Sequence, residues 1–124
     1  MFRLAVAQDL SAVTGACLLV KSAVYDEVGG LDEAFTVAYN DVDFCLRVRA
    51  KGYLVVFTPF SKLIHYESKS RGLDTKGEAK QRFLREKEAM KARYGASLLK
   101  DPYYNPYLTL DTEDFAENAV LPEA

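Results

Sequence analysis

Four side chains in this sequence are of the types that handle protons, phosphates or metal ions, and they stand where regular structure gives way to loops. Asp41 and Asp43 occur one residue apart in Tyr39–Tyr53 (YNDVDFCLRVRAKGY), His65 is the single histidine, and Arg71 lies between Ser70 and Gly72. A carboxylate at a helix start is drawn to the positive end of the helix dipole. An ionised acid in a cleft can accept the proton of an alcohol or sugar hydroxyl as that oxygen attacks. Helix capping alone would also place an acid at position 41. An imidazole at a strand end can ligate a metal or contact a phosphate, or simply pack, and an arginine in a glycine-containing loop can clamp a phosphate or stay solvated. Asp41-Val42-Asp43 matches a DxD metal pattern by letter. At ~100° per residue, though, positions i and i+2 point to nearly opposite sides of a helix. Chelation by this pair therefore requires Asp41 to precede the first turn.

The elements that position these groups follow from capping and periodicity. Asn40 and Asp41 can cap a helix. Val42, Cys45, Leu46 and Arg49 recur at i, i+3, i+4 and i+7, and Phe44 and Val48 widen that apolar side. Asp43 and Arg47 are spaced to pair on its exposed side, and Gly52 is placed to end it. Before this helix, Met1–Leu10 leads in with no clear partner, and Val13–Val20 reads as a buried strand with a close backbone approach at Gly15. Ser22 can then cap a short helix over Ala23–Val28, which Gly29–Gly30 stops, and a loop carries Phe35 to Asn40. After it come strand-like pieces at Tyr53–Thr58 and Lys62–Glu67, split by Pro59, and a polar loop at Ser68–Asp74. Thr75–Tyr94 reads as the longest helix, with a Thr75/Glu78 capping box, an apolar stripe of Ala79, Phe83, Met90 and Tyr94, and Gly95 as its stop. The expected class is α/β, a small mixed sheet with flanking helices and one long C-terminal helix.

Composition limits what such a chain can do. Its 124 residues fit one domain, and sixteen basic against eighteen acidic residues, a net charge of −2, argue against a general nucleic-acid binder. Lys76–Arg93 carries seven Lys/Arg against three Glu, while Asp101–Ala124 has six acids and no Lys or Arg. These read as a solvated helix face and an extended acidic tail over 96–124, with aromatics that suggest packing. Cys17 and Cys45 read as reduced core residues, which together with the lack of a long apolar run gives a cytoplasmic expectation. No glycine-rich phosphate loop or βαβαβ run is present to build a nucleotide site.

Four stretches in order, Ser11–Val20 (SAVTGACLLV), Val28–Phe35 (VGGLDEAF), Asn40–Gly52 (NDVDFCLRVRAKG) and His65–Gly72 (HYESKSRG), resemble the family-2 glycosyltransferases, inverting sugar transferases of GT-A fold. The closing part, with DPYYNP at 101–106 and LDTEDF at 110–115, looks like the bacterial, rhamnosyltransferase-like branch that assembles polysaccharides. The resemblance runs over roughly residues 11–115 and implies a single partial domain over 1–124, the acceptor-side half of a catalytic domain.

It further implies Asp41 as the catalytic base, with Asn40 where the motif usually has Glu. It places Thr14, Gly15 and Asn40 by the acceptor, Ser70 and Arg71 at the donor diphosphate, and His65 at the metal or diphosphate. The intact enzyme would use a nucleotide-sugar donor, a glycan or lipid-linked acceptor and Mn or Mg, at the inner face of the membrane. The chain alone is expected to bind no cation and to be inactive, and its open sheet edge or long helix could pair it into a homo-oligomer. Two rival readings are a metal-dependent hydrolase using Asp41, Asp43 and His65, and a non-enzymatic interaction module.

Overall fold

A computed structural model describes residues 5–66, 77–109 and 116. The element order is β1 (Gln8–Asp9), a 3-10 turn (Gly15–Cys17), α1 (Ser22–Glu27), α2 (Asn40–Ala50), β2 (Val56–Phe57), α3 (Gly77–Tyr94) and a second 3-10 turn (Gly95–Leu99). Helix α2 is the centre of the fold. Phe44, Cys45 and Val48 on one side of it are buried with Val55, and Val13, Leu18, Val20, Val24 and Val28 pack around them. Tyr25 of α1 adds a tilted ring contact to Phe44 at 5.6 Å. Each such fully buried side chain is worth about 1.5–3 kcal/mol relative to exposure.

The ends of α2 follow the sequence closely. Gly52 adopts φ +87°, and the N–H groups of Gly52 and Tyr53 return to the carbonyls of Arg49 and Val48. That is the paired C-terminal closure only a left-handed residue permits, and glycine adopts it without a Cβ penalty. At the other end, Tyr39 takes the left-handed conformation (φ 64°, ψ 3°) without a capping side chain. Asn40 and Asp41 lie inside the first turn, each accepting from the next residue's N–H.

The sheet is smaller than expected. Gln8 pairs with Phe57 and Asp9 with Val56, antiparallel, so the two-stranded ribbon is antiparallel rather than mixed and still leaves a helix-plus-sheet α/β class. The leading segment therefore does have a partner, and Leu10 extends the pairing through its N–H to the Val55 carbonyl. Val13–Val20 is not a strand. Its Thr14 hydroxyl accepts from Ala16 N–H and its Gly15 N–H is committed to Asp41, so the backbone turns in 3-10 form instead of joining a ladder. Only Val56–Phe57 of the 53–58 run is strand, and residues 62–66 have no regular structure. Both α1 and α3 occur nearly as expected, α1 starting at Ser22 without a side-chain cap. The Thr75/Glu78 capping box and the 68–74 loop lie wholly or partly outside the described residues.

Two further expectations change. Cys45 is buried, but Cys17 is exposed because the 3-10 turn carries it outward. The described part of the C-terminal stretch folds back instead of extending. Ser11 donates to Asp101 at 2.5 Å, Arg49 stacks over Tyr103 at 4.9 Å, and the Tyr104 hydroxyl donates to the Thr109 carbonyl. Among the described residues, no helix is long and apolar enough to cross a membrane.

Candidate functional site

Asp41 is held by backbone from two directions. One carboxylate oxygen accepts from Gly15 N–H at 2.8 Å and the other from Val42 N–H at 2.9 Å. Each oxygen keeps a further lone pair, so the group is fixed in orientation and can still accept a proton. Gly15 permits the approach, since a Cβ there would stand 3.2 Å from the Asp41 Cβ. The carboxylate borders a cavity of about 440 Å³. Leu18, Val20, Leu31 and Phe44 supply its apolar wall, Thr14, Asn40, Asp41 and His65 its polar groups, and Gly15, Ala16 and Tyr25 complete it. That volume lies in the range of small-molecule sites, and an apolar wall with a few convergent polar groups is their usual composition.

The structure thus brings together Thr14, Gly15, Asn40, Asp41 and His65 around one cavity. Ser70 and Arg71 lie outside the described residues. Asp43 goes elsewhere. It is 0% exposed, turned from the cavity toward α3, and accepts from Arg47 Nε at 2.8 Å, Arg93 Nη1 at 2.7 Å and the Tyr94 hydroxyl at 2.6 Å. The i,i+4 pair with Arg47 forms as its spacing predicts, but in the interior instead of on the exposed side. The reason is that α3 covers this side and supplies two more donors. Asp41 and Asp43 are therefore not a chelating pair, and among the described residues no group of three or more His, Cys, Asp or Glu could hold a metal ion.

Arg93 also binds Asp32 at 2.7 Å and lies over the Phe35 ring at 5.0 Å. Its two carboxylate partners push its already high pKa higher still, while the Arg93 guanidinium and, before it, the Ala34 N–H hold the Asp32 carboxyl below its ordinary range. Burial and then the bond to Asp43 push the Tyr94 hydroxyl up to about 12.

Glu86 of α3 is the residue that sequence reading passed over. Only 4% exposed, it accepts from Thr36 N–H (3.0 Å), Thr36 Oγ1 (2.8 Å), Val37 N–H (3.3 Å) and Ala38 N–H (2.7 Å). Burial alone would raise its pKa; the four donors outweigh it and bring the carboxyl below its ordinary range. A signal existed, because Ala79, Phe83, Glu86, Met90 and Tyr94 complete one helix stripe at spacings of 4, 3, 4 and 4. An acid on that stripe needs an internal partner.

Several known proteins are similar to this chain. The chain is 49% identical over 114 residues to the uncharacterized protein y4gI of Sinorhizobium fredii, covering 91% of this chain and 12% of that protein. It is 41% identical over 103 residues to the O-antigen biosynthesis protein RfbC of Myxococcus xanthus, covering 83% of this chain and 8% of that protein. Over 62 residues it is 36% identical to the N-acetylglucosaminyl-diphospho-decaprenol L-rhamnosyltransferase of Mycobacterium tuberculosis, covering 50% of this chain and 20% of that protein. No family model matches, and no solved structure matches. The chain spans a small part of the curated relatives it matches, between 8% and 20% of these three. The names of the relatives support a glycosyltransferase family.

Proposed function

We propose that this chain is the acceptor-side part of a nucleotide-sugar-dependent inverting glycosyltransferase of GT-A type, acting in bacterial cell-surface polysaccharide assembly. The observation that carries this reading is the Asp41 carboxylate, pinned by Gly15 N–H on the wall of the 440 Å³ cavity. Asp41 takes the proton of an acceptor hydroxyl while that oxygen bonds to the anomeric carbon. The bond from that carbon to the phosphate oxygen breaks, its electron pair leaves with the nucleoside diphosphate, and the centre inverts in one displacement. Thr14, Gly15 and Asn40 border the acceptor; His65, with Ser70 and Arg71, belongs to the diphosphate side. Mn or Mg would neutralise the departing diphosphate in the whole enzyme, and no step assigned to this chain passes through it.

The test is transfer by the full-length polypeptide carrying this chain, read as nucleoside diphosphate release from a panel of donor sugars. Asp41→Asn should keep the fold and lower turnover by about 10²–10⁴-fold, the span of general-base contributions. Near-normal transfer by that variant would remove Asp41 as the base. A second reading, a non-enzymatic interaction module, is favoured by the exposed apolar side chains Leu19, Leu54, Phe60 and Ile64. It predicts that no donor in the panel is turned over.

A further inference from the structure

We propose that Glu86 is a positioning residue for Asp41, acting from α3 through the segment that delivers the chain to α2. This rests on Asp41 as the base. The Glu86 carboxylate gathers the N–H groups of three consecutive residues, Thr36, Val37 and Ala38, together with the Thr36 hydroxyl. Successive N–H groups converging in this way form a concavity for an anion, and here the anion is a side chain of the same protein. One residue on, Tyr39 holds the left-handed conformation at φ 64°, which costs a non-glycine residue roughly 1–2 kcal/mol. Phe83, three residues before Glu86 on α3, stacks on the Tyr39 ring at 5.8 Å with planes 30° apart.

The next residues are Asn40 and Asp41. The carbonyl of Tyr39 receives the first α2 bond, from Asp43 N–H at 2.8 Å. One surface of α3 therefore holds both the loop and the strained turn that set where the first turn of α2 begins. The rotation of that turn decides whether Asp41 reaches Gly15 N–H. A near-buried acid with four converging donors is more than a helix-to-loop contact requires, because one bond would tether the loop. The number of donors fixes its path, and misplacement of a reacting group by about 1 Å can cost about 10²-fold in rate.

The experiment uses the full-length polypeptide with Glu86→Gln, Thr36→Val, Asp41→Asn and the Asp41→Asn/Glu86→Gln double variant. Transfer kinetics are read beside hydrogen exchange of the peptides spanning residues 12–17 and 36–43. Glutamine keeps the volume but turns an NH₂ toward groups that are themselves donors. Glu86→Gln should lower kcat about 10- to 100-fold with KM for donor and acceptor unchanged. Exchange should quicken in both peptides, including the Gly15 amide that Asp41 binds. Unchanged kcat overturns the proposal, and so does a fall in kcat with normal exchange over 12–17.

Should Glu86→Gln fail to fold, Thr36→Val decides. Losing one donor of four should give a smaller fall in kcat at constant KM, and unchanged kcat and exchange overturn the link. In the Asp41→Asn background the kcat effect of Glu86→Gln should vanish, since both act through one group; its full persistence would place Glu86 in another role. If Asp41→Asn alone transfers sugar normally, the base reading fails, and exchange over 12–17 in Glu86→Gln then decides by itself whether α3 holds Asp41.

Discussion

Asp41 and Asp43 are chemically identical and one residue apart, yet the fold assigns them opposite tasks. Asp41 meets backbone N–H groups beside a cavity, whereas Asp43 lies at 0% exposure among Arg47, Arg93 and Tyr94. A buried ion pair adds little over an apolar replacement, but removing one partner leaves the others uncompensated, at about 3–5 kcal/mol. Asp43→Ala should therefore destabilise by about that amount, discounted toward the lower figure because Arg93 is partly solvated. Asp41→Asn keeps one acceptor oxygen for its two backbone N–H partners and so loses one hydrogen bond, at about 0.5–1.5 kcal/mol. Denaturant unfolding of the two variants side by side checks the contrast. Equal losses would mean that Asp41 is as structural as its neighbour.

Between elements, the polar seam of α2 and α3 does what apolar stripes usually do. Tyr94, the last residue of α3, reaches the Asp43 carboxylate at 2.6 Å, and its hydroxyl titrates near 12 through burial first and the carboxylate second. A folded pKa above the unfolded value of about 10 means that the neutral phenol is favoured by folding. The stability this contributes is fully present below about pH 10 and is lost as pH rises toward 12. Melting temperature should thus fall between about pH 10 and 12 more steeply in the parent than in Tyr94→Phe. At neutral pH, Tyr94→Phe should cost about 1.5–3 kcal/mol, the range for a hydrogen bond to a charged group. A matching alkaline slope in both proteins would show that Tyr94 is not what couples the helices to pH.

At the scale of the molecule, the described residues form a small core and leave many large apolar side chains exposed. Leu19 is 98% exposed, and Leu54, Val56, Phe60, Leu63 and Ile64 are exposed as well. The cavity has the volume of a small-molecule site, but a nucleotide diphosphate needs a cradle of N–H groups or basic side chains and usually a cation. Of the groups assigned to the diphosphate, His65 alone is at the cavity among the described residues. Calorimetric titration of the 124-residue chain with uridine, thymidine and guanosine diphosphate sugars plus Mn²⁺ should give affinities no tighter than millimolar, about −4 kcal/mol. Micromolar binding would place a complete donor site within this chain and overturn its reading as the acceptor side alone.

What the sequence determined by itself is local. The Asn40–Ala50 helix, its Gly52 stop and the long helix ending at Tyr94 follow from 3.6-residue periodicity and from glycine's access to positive φ. Asp41 stood out for the same reason, since its place at a helix start is visible in the letters around it. Strands were less legible, because a ladder needs a partner and β1 finds its own about 47 residues on, at β2. Val13–Val20 has strand composition, but one N–H bound to Asp41 and one to Thr14 turn it instead. Only the tertiary structure decided that Asp43 is interior, Cys17 exterior and Glu86 the acceptor for a loop some 50 residues away. For Asp43 and Glu86 the deciding groups include ones about 50 residues away. The burial of a charge depends on donors that only folding brings to it, and no periodicity records them.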